Sequence, residues 1–269
     1  MELESVSRLT RDLKTAAVTL SSDEARFLVD YYYTMQNDRI RAGHQSRTLL
    51  EAGEPHEVLA WLGSNTGVLE QQVKRALDAY TDGLVVGRWA KSITGIGPII
   101  AAGLSAHIDI TKAPTVGHIW RFAGLDPTVT WAKKTKRPWN ASLKTLCWKI
   151  GESFVKVSGN DSDIYGKLYL QRKAQEIERN DAGTFAEQAA AKLVAFKIGK
   201  DTQARGHYEA GRLPPGHLHA RAKRWAVKLF LAHWHHVAFE AQFGTPPPKP
   251  YILTQPGHAH YLAPPNWPM

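Results

Sequence analysis

Ser92-Ile93-Thr94-Gly95-Ile96-Gly97-Pro98-Ile99-Ile100-Ala101-Ala102 is the most informative segment for predicting the architecture of this chain. An apolar run enters a Gly-Ile-Gly turn, and a second apolar run rich in alanine leaves it, which is the pattern of a helix-hairpin-helix. Pro98 suits the first position of the second helix, where its missing N–H costs nothing. Gly95 and Gly97 permit a positive φ and the close approach of another backbone. We predict helices over 84–92 and 98–108 joined by this turn.

The turn is a candidate phosphate-binding site. Backbone N–H groups at a helix N-terminus have no partner within the helix and bind anions without reading sequence. The candidate contact residues here are Thr94, Gly95, Ile96 and Gly97. An ordinary connection between two helices is the alternative interpretation of the same pattern.

The flanking sequence predicts an all-α protein. Ser21 and Glu24 form a capping box that begins a helix over about 22–50. A short apolar turn follows at 58–62, and Asn65 or Thr66 caps a further helix that ends at Gly83. We predict a helical hairpin or coiled-coil stalk over 1–90, a helix-hairpin-helix domain over 91–158, and a C-terminal helical region over 159–269 with an extended proline-rich tail from Pro246.

The charge of the chain changes sign at the predicted hairpin. Residues 1–90 contain 10 basic and 13 acidic residues, a net charge of −3, whereas residues 91–269 contain 24 basic and 12 acidic residues, a net charge of +12. The whole chain has a net charge of +9. A basic region of this size indicates a polyanionic partner. We predict nucleic acid, with DNA favoured over RNA, and the alternative is a basic surface that only keeps the protein soluble.

Two segments concentrate the basic residues. The predicted loop 128–139 carries four cations between Trp131 and Trp139, no acid occurs from Pro127 to Ile150, and a predicted helix over 217–243 carries a basic stripe at helical spacing. Cations attract phosphates, and indole rings stack on unpaired bases. The alternatives are a solvated basic loop whose tryptophans anchor it to the core and, for the stripe, a solvated helix face. The candidate nucleic-acid contacts are Lys133, Lys134, Lys136, Arg137, Lys144, Arg221, Arg224 and Lys228.

The C-terminal region is rich in histidine. Imidazoles bind zinc and other transition metals, so a metal site is one interpretation. Histidines placed among aromatic side chains are the alternative, and we predict neither a metal nor another cofactor. The histidines are His217, His219, His233, His235, His236, His258 and His260.

The remaining composition excludes several classes of protein. Cys147 is the only cysteine, so an intramolecular disulfide and a cysteine-based zinc cluster are excluded, and a reducing cytoplasm is expected. The N-terminus Met1-Glu2-Leu3-Glu4 is polar and unlike a signal peptide. No apolar run approaches the ~20 residues of a membrane span.

Residues 92–150 resemble the C-terminal domain of the insertion-sequence one-ten group of transposases, the bridge-RNA-guided recombinases. Three blocks in matching order and spacing carry the resemblance: Ile93-Thr94-Gly95-Ile96-Gly97-Pro98, Phe122-Ala123-Gly124-Leu125-Asp126-Pro127, and Asn140-Ala141-Ser142-Leu143-Lys144-Thr145-Leu146. The stalk that precedes them is also similar to the helical region before that domain. The resemblance implies nucleic-acid binding and an origin in a mobile element or phage.

Two parts of the family's catalytic apparatus have no counterpart here. Residues 1–90 contain scattered acids rather than a RuvC-like domain with four metal-binding carboxylates. The family's nucleophilic serine has no Ser-Gly equivalent in Thr128-Val129-Thr130-Trp131-Ala132; Thr130 is a poor substitute, and Ser142 lies too far along. We therefore predict no catalytic residue in this chain.

Three functions remain open on the sequence alone. The first is nucleic-acid binding through the hairpin and the basic loop. The second is a recombinase or nuclease subunit completed by a partner chain. The third is an RNA-binding protein or a structural, interaction protein in which the helices over 22–83 pair with a second copy or with another protein. Carboxylates available to the second function are Asp109, Asp126, Asp161, Asp163, Glu176 and Glu178, whose spacing matches no metal motif.

Overall fold

The protein is described by a computed structural model that covers residues 8–249 and 261–269. Within these residues the structure contains eleven α-helices and no β-strand, which confirms the predicted all-α class. The helices are α1 (Arg11–Ala16), α2 (Ser22–Glu51), α3 (Glu57–Asp82), α4 (Val85–Lys91), α5 (Pro98–His107), α6 (Val116–Phe122), α7 (Ala141–Val157), α8 (Tyr165–Asp181), α9 (Ala186–Ala195), α10 (Gln203–Glu209) and α11 (Pro215–Phe243). None of them is long and apolar enough to cross a membrane.

Helices α2 and α3 form an antiparallel hairpin, which we call the stalk. The Ser21 side chain accepts a hydrogen bond from the Glu24 backbone N–H, and the Glu24 carboxylate accepts one from the Ser21 N–H, so the predicted capping box is present. The predicted break before a second helix is wrong, because α3 runs without interruption from Glu57 to Asp82. Asn65 and Thr66 donate back to the carbonyls of Trp61 and Leu62 instead of capping a new helix.

Only the proximal half of the stalk reaches the protein interior. Val29, Tyr32 and Met35 of α2 pack with Leu77 and Tyr80 of α3 against helix α5. No residue from Gln36 to Leu69 is buried, so the distal half is a two-helix projection. At about 1.5 Å per residue, the 30 residues of α2 extend about 45 Å.

Helix α11 is the centre of the main core. It packs against α4, α6, α7 and α8, and its inward face contributes Phe230 and Trp234. The Phe230 ring stacks on Trp89 of α4 at 5.8 Å between ring centroids and meets Phe154 of α7 edge-on. Cys147 of α7 lies in the same core, and burial raises the pKa of its thiol to about 12.

The C-terminal residues 261–269 lie against the folded body. The indole N–H of Trp89 donates to the Pro265 carbonyl, and the Asn266 amide donates to the carbonyl of Ser92. Trp267 donates to the Glu240 carboxylate on α11. The predicted proline-rich tail is therefore non-helical in these residues and connects α11 to α4, next to the Gly-Ile-Gly turn; its part from 250 to 260 lies outside the described residues.

Four predicted helices, over 22–50, 84–92, 98–108 and 217–243, are present with nearly the same bounds. Helices α4 and α5 occupy the two arms of the predicted hairpin, and Asn140 caps α7 by accepting from the Leu143 N–H. Helix α10 was not predicted, and it packs on α9 in the segment before Pro214. One core cluster runs from α4 to α11. The domain boundaries at 90/91 and 158/159 stay predictions.

Candidate nucleic-acid interface

The Gly-Ile-Gly turn is held at its back by hydrogen bonds from other segments. The Ser153 hydroxyl of α7 donates to the Gly95 carbonyl, and the Thr94 hydroxyl donates to the Ser162 carbonyl. Gly95 has a φ of +93°, and a side chain there would press on Val157 and Ser153. Gly97 instead has an extended backbone with a φ of −97°, so only the first glycine needs the left-handed region.

The front of the turn is the start of α5. Gly97 is the N-cap residue and provides no side-chain cap, and Pro98 follows at the first helical position. Ile96 is buried, whereas Thr94, Gly95 and Gly97 are half-buried. A side chain added at Gly97 would meet nothing within 4 Å. The space in front of the amides at the start of α5 is therefore open at this residue.

The basic loop 128–139 is an exposed segment fastened by its tryptophans. The Trp131 indole donates to the Thr135 carbonyl at 2.9 Å, and the Arg137 guanidinium lies over the Trp131 ring. Trp139 packs against Gly124 and against the Lys144 side chain, whose Nζ is 3.9 Å from the ring centroid. Lys133, Lys134 and Lys136 are exposed. These contacts favour the packing role for the two loop tryptophans.

Cations from three segments converge beside this loop. The Arg137 and Lys144 side chains lie over the rings of Trp131 and Trp139, whose centroids are 6.4 Å apart. Burial lowers the pKa of Lys144, and the positive charges of Arg137 and of Arg224 on α11 lower it further. Within the residues that the structure describes, none of these three cations forms an ion pair with a carboxylate. We call Arg137, Lys144 and Arg224 the basic cluster. Like charges held together without a counter-charge favour an anionic ligand.

The three residues of the predicted basic stripe on α11 make different contacts. Arg224 is exposed and belongs to the basic cluster. Arg221 instead donates to the buried Glu176 carboxylate at 2.8 Å, so its charge is used inside the protein. Lys228 lies over the Trp120 ring at 4.1 Å, and burial lowers its pKa while Asp126 opposes the shift.

Helix α7 lies between the hairpin turn and the basic cluster. Lys144 is in its first turn, whereas Ser153, which contacts Gly95, lies nine residues later, about 14 Å along the axis. The two residues also lie on opposite sides of the helix, at 100° per residue. The turn and the basic loop therefore do not form one compact pocket.

Two lysines that sequence reasoning left out of the candidate site lie on the hairpin side of α7. Lys149 lies four residues before Ser153 and Lys156 lies three residues after it, so both are about one helical turn away. Burial lowers the pKa of Lys149, and the positive charge of Lys156 lowers it further. The Lys149 ammonium lies 3.6 Å from the centroid of Tyr33. Helical spacing from Ser153 is the signal that could have identified them.

Comparison with known families identifies the segment that contains these features. Residues 88–144 match the Transposase IS116/IS110/IS902 family. The match confirms the resemblance and covers about a fifth of the chain, from Arg88 in α4 to Lys144 in α7. It supports a transposase-like function in a mobile element. Neither the search of curated proteins nor that of solved structures found a match.

The matched segment contains the hairpin turn and the whole basic loop. The contacts from α11 and from the second half of α7 come from outside it. The candidate interface is thus assembled from the family segment and from helices that follow it in the chain.

The histidines of α11 are engaged in separate contacts. His233 contacts the Tyr165 hydroxyl and the Leu262 carbonyl, and burial lowers its pKa to about 4. His235 bonds to the Ala113 carbonyl, and His219 to the Tyr169 hydroxyl. In the described part of the chain, no three His, Cys, Asp or Glu side chains are grouped to hold a metal ion. His258 and His260 lie outside the described residues.

The carboxylates considered for a nuclease are dispersed among structural contacts. Asp163 is buried and accepts from the backbone N–H groups of Gly166 and Lys167, which caps the start of α8. Asp126 accepts from Thr128, and this hydrogen bond lowers its pKa. Glu176 is surrounded by arginines. The chain itself thus offers no clustered acids among these residues.

Proposed function

We propose that the protein binds nucleic acid, DNA in preference to RNA, through its backbone phosphates as a transposase-like protein of a mobile element. The observation that carries the proposal is the basic cluster, in which Arg137 and Lys144 lie over adjacent tryptophan rings and Arg224 adds its charge from α11, with no ion pair to a carboxylate in the described part of the chain. Phosphates supply the missing counter-charge, and the exposed Lys133, Lys134 and Lys136 of the loop extend the cationic surface.

The hairpin turn adds a second contact on the other side of α7. The open space at Gly97 lets a phosphate approach the first amides of α5, with Lys149 and Lys156 on the same side of α7. A strand that reaches both sites passes over the exposed face of α7. Contacts to phosphates position a nucleic acid but carry no sequence information.

Salt-titrated binding tests the basic cluster. Each lost phosphate contact lowers the slope of log K against log salt by about 0.9 for duplex DNA. The double variant Lys144→Ala/Arg224→Ala should therefore flatten the slope by about 2. The control is Arg41→Ala/Arg47→Ala on the exposed distal stalk, which removes the same charge elsewhere. Equal slopes for the two double variants would remove the cluster from the interface.

Gly97→Val tests the hairpin in the same assay. The new side chain enters open space and an extended backbone, so helical content should stay unchanged while it covers the amides of α5. We expect weaker binding to duplex DNA, single strands and structured RNA alike. Unaltered affinity at every salt concentration would show that phosphate does not contact the turn.

A second proposal concerns self-association through the stalk. Its distal half has no buried residue and exposes Ile40, Leu50, Val58, Trp61 and Leu62. We propose that a second copy covers this face, because an exposed apolar surface of this kind is typical of interaction sites. Light scattering should give the mass of a dimer for the wild type and of a monomer for Trp61→Glu/Leu62→Glu; a wild-type monomer at high concentration contradicts it.

A further inference from the structure

Trp148 is the most exposed tryptophan of the nine in this chain. Its side chain is 58% exposed, whereas Trp131 is 41% and Trp61 is 40% exposed, and the other six are more buried. The indole of tryptophan has a large apolar surface, and exposing it to water costs free energy, so tryptophan is normally largely buried. An indole that is exposed on the surface of a helix is therefore a candidate contact for a binding partner.

The surroundings of Trp148 are cationic. Lys144 lies one turn before it on α7, next to Arg224, and Lys223 of α11 lies over the ring at 5.7 Å from the centroid. The carboxylate one turn later, Glu152, is held by an ion pair with Lys223. The ring therefore borders the basic cluster, and the nearby acid is neutralised.

The position on α7 places the ring between the two proposed phosphate contacts. Helix α7 buries Leu143, Leu146, Cys147, Ile150 and Phe154. At 100° per residue, Trp148 projects from the opposite, exposed side, between the direction of Lys144 and that of Lys149. A strand that passes from the basic cluster to the hairpin turn crosses this ring.

The two loop tryptophans each make a hydrogen bond or a packing contact besides the cation over the ring. The Lys144 ammonium lies over the Trp139 ring, and Gly124 is packed against the same indole. Trp131 donates its indole N–H to Thr135 and carries Arg137 over its ring. Among the described residues, no aromatic ring stacks on Trp148.

We propose that Trp148 stacks on an unpaired nucleobase, so that the surface binds a nucleic acid with single-stranded character. This inference rests on the proposed function and deepens it. Bases within a duplex have both faces covered by their neighbours, whereas the face of an unpaired base is free to stack on an indole. Stacking of this kind tolerates every base because each has a π face.

The test compares two DNA probes of equal length, a fully paired duplex and a single strand, with the full chain and three variants. Trp148→Ala should weaken single-strand binding by about 5- to 150-fold, the range measured for loss of one stacked base, and leave duplex binding within about twofold. Trp148→Phe keeps a ring and should retain most of the affinity. Phe27→Ala removes another exposed aromatic side chain, near the start of α2, and is the control that should bind as the wild type does.

The outcomes separate this inference from the proposed function. Salt-dependent wild-type binding that Trp148→Ala leaves unaltered on both probes overturns the stacking role and leaves the phosphate surface standing. Equal weakening on both probes overturns it as well, because the ring then does not distinguish unpaired bases. A loss of dimer mass in Trp148→Ala would make the ring a protein contact, and absence of wild-type binding to either probe overturns both proposals. Circular dichroism and melting temperatures of the variants establish that each is folded.

Discussion

Replacing Gly124 by alanine should destabilise the protein for two separable reasons. Gly124 follows α6 with a φ of +65°, and an alanine Cβ there would lie 2.8 Å from Cγ of Trp139 and 3.0 Å from Cδ of Lys144. The left-handed backbone alone costs about 1–2 kcal/mol for a residue other than glycine. Crowding a packed indole adds about 1–3 kcal/mol. We expect a total loss of about 3 kcal/mol in the free energy of unfolding.

Gly183→Ala is the matched control for the backbone term. Gly183 follows α8 with a φ of +79°, and its added Cβ would meet nothing within 4 Å. This variant should therefore lose only the backbone cost of about 1–2 kcal/mol. The difference between the two variants measures the packing of Gly124 against Trp139.

Urea unfolding followed by circular dichroism gives both free energies. A salt-titrated binding assay then reports whether the anchor of the basic loop matters for the interface, since the new methyl group of Gly124→Ala would press on both Trp139 and Lys144. Gly124→Ala should bind nucleic acid more weakly than Gly183→Ala at the same salt concentration. Equal losses of stability in the two variants would refute the account of Trp139 as a packed anchor.

Two further predictions concern buried ionisable groups. Burial would raise the pKa of Glu176, but Arg221 and Arg172 outweigh it and hold the pKa below its usual value. At pH 7, Glu176→Gln should therefore lower the free energy of unfolding in urea by about 3 kcal/mol, whereas the exposed Glu178→Gln should change it little. In the wild type, the stabilisation by Glu176 is present above the pKa of the unfolded chain and disappears as the pH falls through the pKa of the folded protein. His233 is neutral when folded, with its pKa lowered to about 4 by burial, so the unfolded chain binds more protons below about pH 6.5. Between pH 7 and pH 5 the free energy of unfolding should therefore fall more for the wild type than for His233→Gln. An equal fall in both proteins would contradict the burial of a neutral imidazole.

Local signals made the helices predictable. The pair Ser21 and Glu24 and the side chain of Asn140 satisfy amides at helix starts, and such contacts depend on residues three apart in the chain. The same locality explains the error in α3. Asn65 and Thr66 are good caps by residue type, but in the structure they bond to carbonyls one turn earlier, and the packing of α3 on α2 keeps the helix continuous.

The arrangement of the candidate site was not predictable from the sequence. The hairpin turn and the basic loop are close in sequence, yet α7 separates them because its buried face docks between α5 and α11. Arg221 and Arg224 are three residues apart on one stripe, but a buried carboxylate on α8 captures only the first. Such partners come from distant parts of the chain, and periodicity does not reveal them. The exposure of Trp148 could have been predicted from the sequence, because helical spacing places this residue away from the apolar face of α7.

The buried thiol of Cys147 makes this protein convenient for site-specific labelling. The side chain is 2% exposed, and its raised pKa keeps it protonated and unreactive towards maleimides at neutral pH. A cysteine introduced at Ser46 on the stalk or at Thr135 in the loop would therefore be the one reactive sulfur on the described surface. Fluorophores attached at such positions would report distances between the projection and a bound strand without any need to remove the native cysteine.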